Sequence, residues 1–239
     1  MNIPEIPAPV GGARHQGPNL GMLAIVYSAL FIAGLIPVTV LGGIRFPGPG
    51  ESADTIVAFF QSRPSAVLVC AFLQFGAAIP LGIFTATVVS RLRFLGVRAA
   101  GPNIALFGGL MTAFNMAASA LVLWVMAYPG IAQDASILRA LYYLSFALGG
   151  PGFSVPLGLL IAGVSVTAMF ARLLPKWLVV FGVVLAAIGE LSCLDLITPM
   201  ALPLIPLTRF PGFVWLIAVG FALPKTGRAA RPSEKASGW

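Results

Sequence analysis

Six long apolar runs, parted by short polar connections, limit what this chain can fold into more than any motif it carries. They fall at residues 20–43, 65–90, 103–127, 137–170, 178–196 and 210–224. A hydrocarbon core about 30 Å thick needs about 20 apolar residues in helix to cross it, and most of these runs reach that length. They are continuous rather than alternating, which excludes the dyad pattern of a membrane barrel. With 59% hydrophobic and 9% charged residues, the chain also lies outside the balance of a water-soluble domain. The expected fold is all-α: a polytopic bundle of six transmembrane helices with short amphipathic outer helices. One transmembrane domain, 20–224, lies between a disordered tail at 1–19 and a basic tail at 225–239.

The charges set an orientation. Residues 1–19 have no positive charge before Arg14, so they lack the basic start of a signal peptide, and the first span acts as its own insertion signal. Placing both termini in the cytoplasm puts Arg14, Arg91, Arg93, Arg98, Arg172, Lys176, Lys225, Arg228, Arg231 and Lys235 on that side. Only Arg45, Arg63, Arg139 and Arg209 then lie outside, as the positive-inside tendency requires. The net charge of +7 is thereby explained by topology. It forms no basic face with interleaved aromatics, so nucleic acid is not an expected partner, whereas membrane lipids are.

Three segments depart from simple crossings. Residues 45–64 open with a Pro- and Gly-rich turn, and Ser52 then caps a helix whose Ile56, Phe59 and Phe60 share one face. This reads as an amphipathic helix on the membrane surface, with a ligand gate as the alternative. Residues 137–170 would span about 50 Å as one helix. Gly149, Gly150, Pro151 and Gly152 break them into a short outer helix and a fourth span over residues 151–170. Pro199, Pro203 and Pro206 end the fifth crossing and leave a short last span at 210–224, with Arg209 snorkelling to the outer interface or contacting an anion there.

A few polar residues fall inside the runs. Counted from the cytoplasmic ends at 1.5 Å per residue, Asn115, Glu190, Arg209 and Gln74 lie about 18, 21, 24 and 25 Å up. They define a polar layer in the outer half, where unpaired polar groups are costly and usually face the bundle or a wet cavity. Gly108, Thr112, Asn115 and Ser119 form one stripe of the third span; Gly182, Ala186 and Glu190 form one on the fifth. Gly158, Ala162 and Ser165 offer the fourth span as its packing partner. Glu190 reads either as a structural ion pair with Arg209 or Arg139, or as a protonatable coupling group. Asp195 is expected at the interface. Tyr142 and Tyr143 are interfacial anchors, with ligand contact as the alternative. Cys70 and Cys193 lie near the outer ends of their spans, where either a disulfide or two free thiols is possible.

Several chemistries lack their residues. The one histidine, His15, stands in the N-terminal tail, so no membrane histidine pair can hold haem. No phosphate loop, paired-cysteine motif or zinc-protease helix occurs. No catalytic, metal or cofactor residues are therefore expected. Leu174-Pro175-Lys176-Trp177-Leu178, leading into the fifth span, and Arg209-Phe210-Pro211-Gly212-Phe213-Val214-Trp215-Leu216-Ile217-Ala218-Val219-Gly220, opening the last, give the chain a likeness. It resembles an uncharacterised bacterial family of six-helix integral membrane proteins, a domain of unknown function. That resemblance implies a bacterial inner-membrane location and brings no substrate or catalytic residue. The functional expectation is a non-enzymatic binder of a small or amphiphilic ligand, or an accessory subunit of a membrane complex. The alternative is a small proton- or cation-coupled transporter using Glu190. Candidate site residues are Glu190, Arg209, Asn115, Gln74, Tyr142 and Arg139.

Overall fold

The computed structural model describes residues 14–40 and 46–226. Nine α-helices are present among them: α1 (Leu20–Thr39), α2 (Ala53–Ser62), α3 (Pro64–Phe94), α4 (Gly101–Met126), α5 (Pro129–Gln133), α6 (Ala135–Gly149), α7 (Pro151–Ala171), α8 (Lys176–Leu191) and α9 (Leu204–Ala222). Six segments are long and apolar enough to cross a membrane. They are apolar all round, and Phe72, Phe107, Phe114, Phe170 and Val214 stand outward, more than half exposed. That distribution suits a bundle whose outer solvent is lipid.

The crossings form a closed ring in which α1 neighbours α3 and α9, α4 neighbours α3 and α7, and α8 joins α7 to α9. Both ends of the described chain meet at one face. Arg14 bridges Thr226, and the His15 amide donates to the Lys225 carbonyl at 2.8 Å. This proximal end also carries Arg91, Arg93, Arg98, Arg172 and Lys176, at the ends of α3, α7 and α8 or in the connections beside them. The opposite end is called distal below. Residues 14–19 and 225–226 are thus ordered against each other, whereas most of both expected tails, with Arg228, Arg231 and Lys235, lies outside the described residues, as does Arg45.

The fourth crossing differs from its sequence reading. Helix α6 does not lie on the outer surface: it descends beside α4 and continues as α7 along the same partner. Ser119 contacts Ser145, Asn115 contacts Gly152, and Gly108 packs on Pro156 and Leu160, an antiparallel register that runs through the break. The break at Gly150 therefore sits within the crossing. Gly150 is non-helical at φ −90°, ψ −102°.

Two further readings are corrected. The apolar face of α2 does not rest on the membrane surface. Ile56, Phe59 and Phe60 are buried in a distal core with Val38, Val67, Leu138 and Tyr142, so α2 caps the bundle. The last crossing begins earlier than residue 210, because α9 opens at Leu204. Pro206 falls in its first turn, where backbone N–H groups have no helical acceptor to lose. Arg209 is consequently inside the helix.

Small residues set the close α4–α7 seam. A β-carbon on Gly108 would sit 2.6 Å from both the Pro156 carbonyl and the Leu160 nitrogen, and one on Gly163 would meet Ala105 and Gly101 backbone as closely. Close approach of this kind is how helices associate without a hydrophobic drive between them. Gly108→Ala should therefore destabilise the folded protein by about 1–3 kcal/mol through overpacking. Gly76→Ala, where nothing lies within 4 Å, should be neutral or slightly stabilising in the same thermal-melt comparison.

The proximal seam has its own pH response. The His15 ring meets the Ser90 hydroxyl at 3.1 Å, and burial, with the nearby Arg91 charge, holds its imidazole below the ordinary value of 6.5. The unfolded chain binds that proton more readily. Stability from this contact is full above pH 6.5 and is lost as pH falls through the lower folded value. The protection factor of the His15 amide, its exchange rate measured against the intrinsic rate at each pH, should therefore fall on acidification, and His15→Ala should remove that dependence.

Candidate functional site

A broken helix inside a membrane leaves backbone groups that water cannot reach, and each needs a partner from the protein. Here the prolines decide which carbonyls are freed. Pro156 has no N–H to offer the Gly152 carbonyl one turn earlier. The Asn115 amide donates to that oxygen instead, at 2.5 Å. At the break itself the Phe153 N–H turns to Gly150, and the Gly149 carbonyl accepts from Nη2 of Arg209.

Beside this break lies a cavity of about 260 Å³ at the distal end of the bundle. Its walls are Phe31, Leu35 and Val38 of α1, Cys70 and Gln74 of α3, Met116 to Leu123 of α4, and Tyr142 to Gly149 of α6. Phe153, Ile205 and Arg209 complete them, and residues 46–49 form part of the enclosure. Tyr142 fixes that loop by donating to the Pro47 carbonyl at 2.8 Å. The surface is mainly apolar.

Among the described residues, Arg209 is the one charged group that lines the cavity. Its Cζ lies 4.6 Å from the Phe153 ring centroid and 5.2 Å from that of Phe31. It has no carboxylate partner among the described residues, and its buried Nε makes no hydrogen bond. An arginine at a bilayer centre costs about 2.5–3.5 kcal/mol on insertion scales, an upper bound for Arg209, which stands in the distal half. Against that, stacking on aromatic rings contributes about 0.5–2 kcal/mol, and a charged hydrogen bond about 1.5–3 kcal/mol. The position of the guanidinium at the C-terminus of α6, the negative end of a helix dipole, adds a further favourable term. These contributions match the penalty, so the charge is tolerated without an acid.

The structure brings some of the sequence candidates together and separates others. Arg209, Gln74 and Tyr142 all line the cavity. Asn115 is buried beside it, holding the α7 backbone. Glu190 is elsewhere: it lies against Gly158 and Ala186 in the α7–α8 seam, where its buried Oε1 has no hydrogen-bond partner. The ion pair with Arg209 or Arg139 does not form, and Arg139 is exposed on α6. Equal height along two helices did not imply equal direction around them. Asp195 is half-buried in a 3₁₀ turn after α8. Cys70 faces the cavity, Cys193 is exposed, and both thiols are free.

Phe31, Phe153 and Ser145 complete the site without having been singled out in sequence, whereas the loop at 46–49 opens the segment for which a ligand gate is the alternative reading. Apolar rings in an apolar run carry no distinguishing period, and Ser145 is recognisable only once α6 pairs with α4. A larger hollow, about 430 Å³, lies at the proximal end beside Val97, Arg98, Thr167 and Phe170. Arg98, its one charged lining group among the described residues, is exposed, so the distal cavity is the better-built site.

The fold and the cavity define a multi-pass helical membrane protein with an internal distal chamber. No family model matches the chain, and neither a curated protein nor a solved structure does.

Two substitutions separate the roles of the intramembrane charges. Arg209→Met keeps the length but removes the donor to Gly149, and should lower stability by about 1–3 kcal/mol in a thermal melt. Glu190→Gln removes a charge that has no partner, so the melting temperature should stay level or rise. A marked fall would mean that Glu190 has a structural ion partner.

Proposed function

We propose that this chain is a non-enzymatic membrane protein that binds a small amphiphilic ligand in the distal cavity. The observation that carries the reading is a mainly apolar chamber whose described lining holds one cation and no acid. Apolar surface with a few convergent polar groups is the usual make-up of a small-molecule site, and about 260 Å³ is close to the lower end of their common size, about 300–1,000 Å³. In this reading the termini are cytoplasmic, the distal end faces outward, and the membrane is a bacterial inner membrane. The excess of positive charge at the proximal end supports that orientation.

Coupled transport is a second reading, and it rests on a different residue. The carboxylate of Glu190 has a buried oxygen without a hydrogen-bond partner, yet it stands in a helix seam away from the chamber lining. A proton or cation at Glu190 would have to act through α7, which touches both sites. Normal flux in Glu190→Gln reconstituted into vesicles would remove that role.

The binding reading is tested by what the protein carries out of the membrane. Purified in mild detergent and examined by native mass spectrometry, the wild type should retain about one small amphiphile per chain. Ala120→Phe, which fills the chamber from α4, should retain none while keeping a cooperative melt. Equal retention by both would count against the chamber as the site, and a stoichiometric protein partner would favour an accessory subunit.

A further inference from the structure

Resting on that binding reading, we infer that the ligand is a single-chain amphiphile with a monoanionic, carboxylate-type head, held by Arg209 and Gln74. The chamber's polar groups make the selection. Tyr142 donates to Pro47, and Ser119 donates to the Ser145 carbonyl at 2.8 Å while the Ser145 hydroxyl lies 3.3 Å from the Ser119 carbonyl. Those hydroxyls are committed to holding the walls. Two side chains are not. Gln74 is 8% exposed, lines the chamber, and makes no hydrogen bond with any described residue. Arg209 gives one donor to Gly149 and has others without acceptors.

The sign and number of the charge follow. No carboxylate among the described residues lines the chamber, so a cationic head would meet Arg209 with nothing there to offset the repulsion. A neutral head would leave the guanidinium without a counter-charge in a low-dielectric space. One anionic charge neutralises it, whereas a dianion would leave an excess negative charge against apolar walls. The geometry favours a planar head: Phe31 and Phe153 cover the guanidinium face, so the N–H fork is presented along its edge, the arrangement that carboxylates accept. The tail has Leu35, Val38 and Leu123 to lie against, and a volume of about 260 Å³ suits one chain better than a two-chain lipid.

The test uses the full chain in phosphatidylcholine nanodiscs with four probes of equal tail length: dodecanoate, dodecanol, dodecyl phosphate and dodecylamine. Binding is followed by calorimetry, with dodecanoate fully ionised. Dodecanoate should bind saturably, at one per chain, about tenfold or more tighter than dodecanol, the change expected for a charged hydrogen bond of about 1.5–3 kcal/mol. Arg209→Gln should erase that difference, and Gln74→Leu should weaken dodecanoate while leaving dodecanol unchanged. If Arg209→Gln fails to fold, Arg209→Lys and Gln74→Leu carry the test, with anion preference reduced in both. Dodecanol binding as tightly as dodecanoate would overturn the head-group assignment and leave the binding reading standing. Tighter binding of the phosphate dianion, or of the amine, would also overturn it. Failure of all four probes in wild type and Ala120→Phe alike would remove the binding reading and the assignment with it.

Discussion

The interaction on which the rest depends is the hydrogen bond from Arg209 to the Gly149 carbonyl, together with its companion from Asn115 to Gly152. A helix that breaks in hydrocarbon must have its freed carbonyls satisfied by neighbours, because lipid offers no donor. With these two side chains in place, α6 can end and α7 can begin inside the bundle. The chamber lies beside that break, with Gly149, Gly150 and Phe153 in its lining. Remove the donors, and both carbonyls stay unpaired in hydrocarbon, because Pro156 has no N–H for Gly152 and the Phe153 N–H is turned to Gly150.

The same arrangement explains how a guanidinium stays in the bundle. Its charge is divided among a helix C-terminus, one carbonyl and two aromatic faces, none of which neutralises it. Structural stability and a remaining capacity for an anion are therefore compatible. An acid at the same place would have stabilised the bundle further and closed the site electrostatically. Glu190, pointed into the α7–α8 seam, does not supply one.

Much of the architecture was legible because a bilayer demands length and continuity of apolar residues. The stripe of Gly108, Thr112, Asn115 and Ser119 was read as inward-facing, and all four are buried on α4. The site was legible only in part. Helix rise placed Arg209, Asn115, Gln74 and Glu190 in one layer, but rise fixes height and says little about azimuth. Pro206 read as a stop, whereas in the first turn of α9 it costs no hydrogen bond. That difference moved Arg209 from a loop end into a helix facing the chamber.

The sequence by itself determined the six crossings, the clustering of positive charge at one end, the glycines of the close seams and the Gly-Gly-Pro break, since each follows from local chain chemistry in an apolar solvent. Only the tertiary structure decided that the break lies beside α4 within the crossing, that α2 covers protein rather than lipid, and that Arg209 meets a carbonyl and two rings while Glu190 meets a glycine. Those outcomes depend on which faces adjoin across the ring, and that is set by packing between segments far apart in the chain.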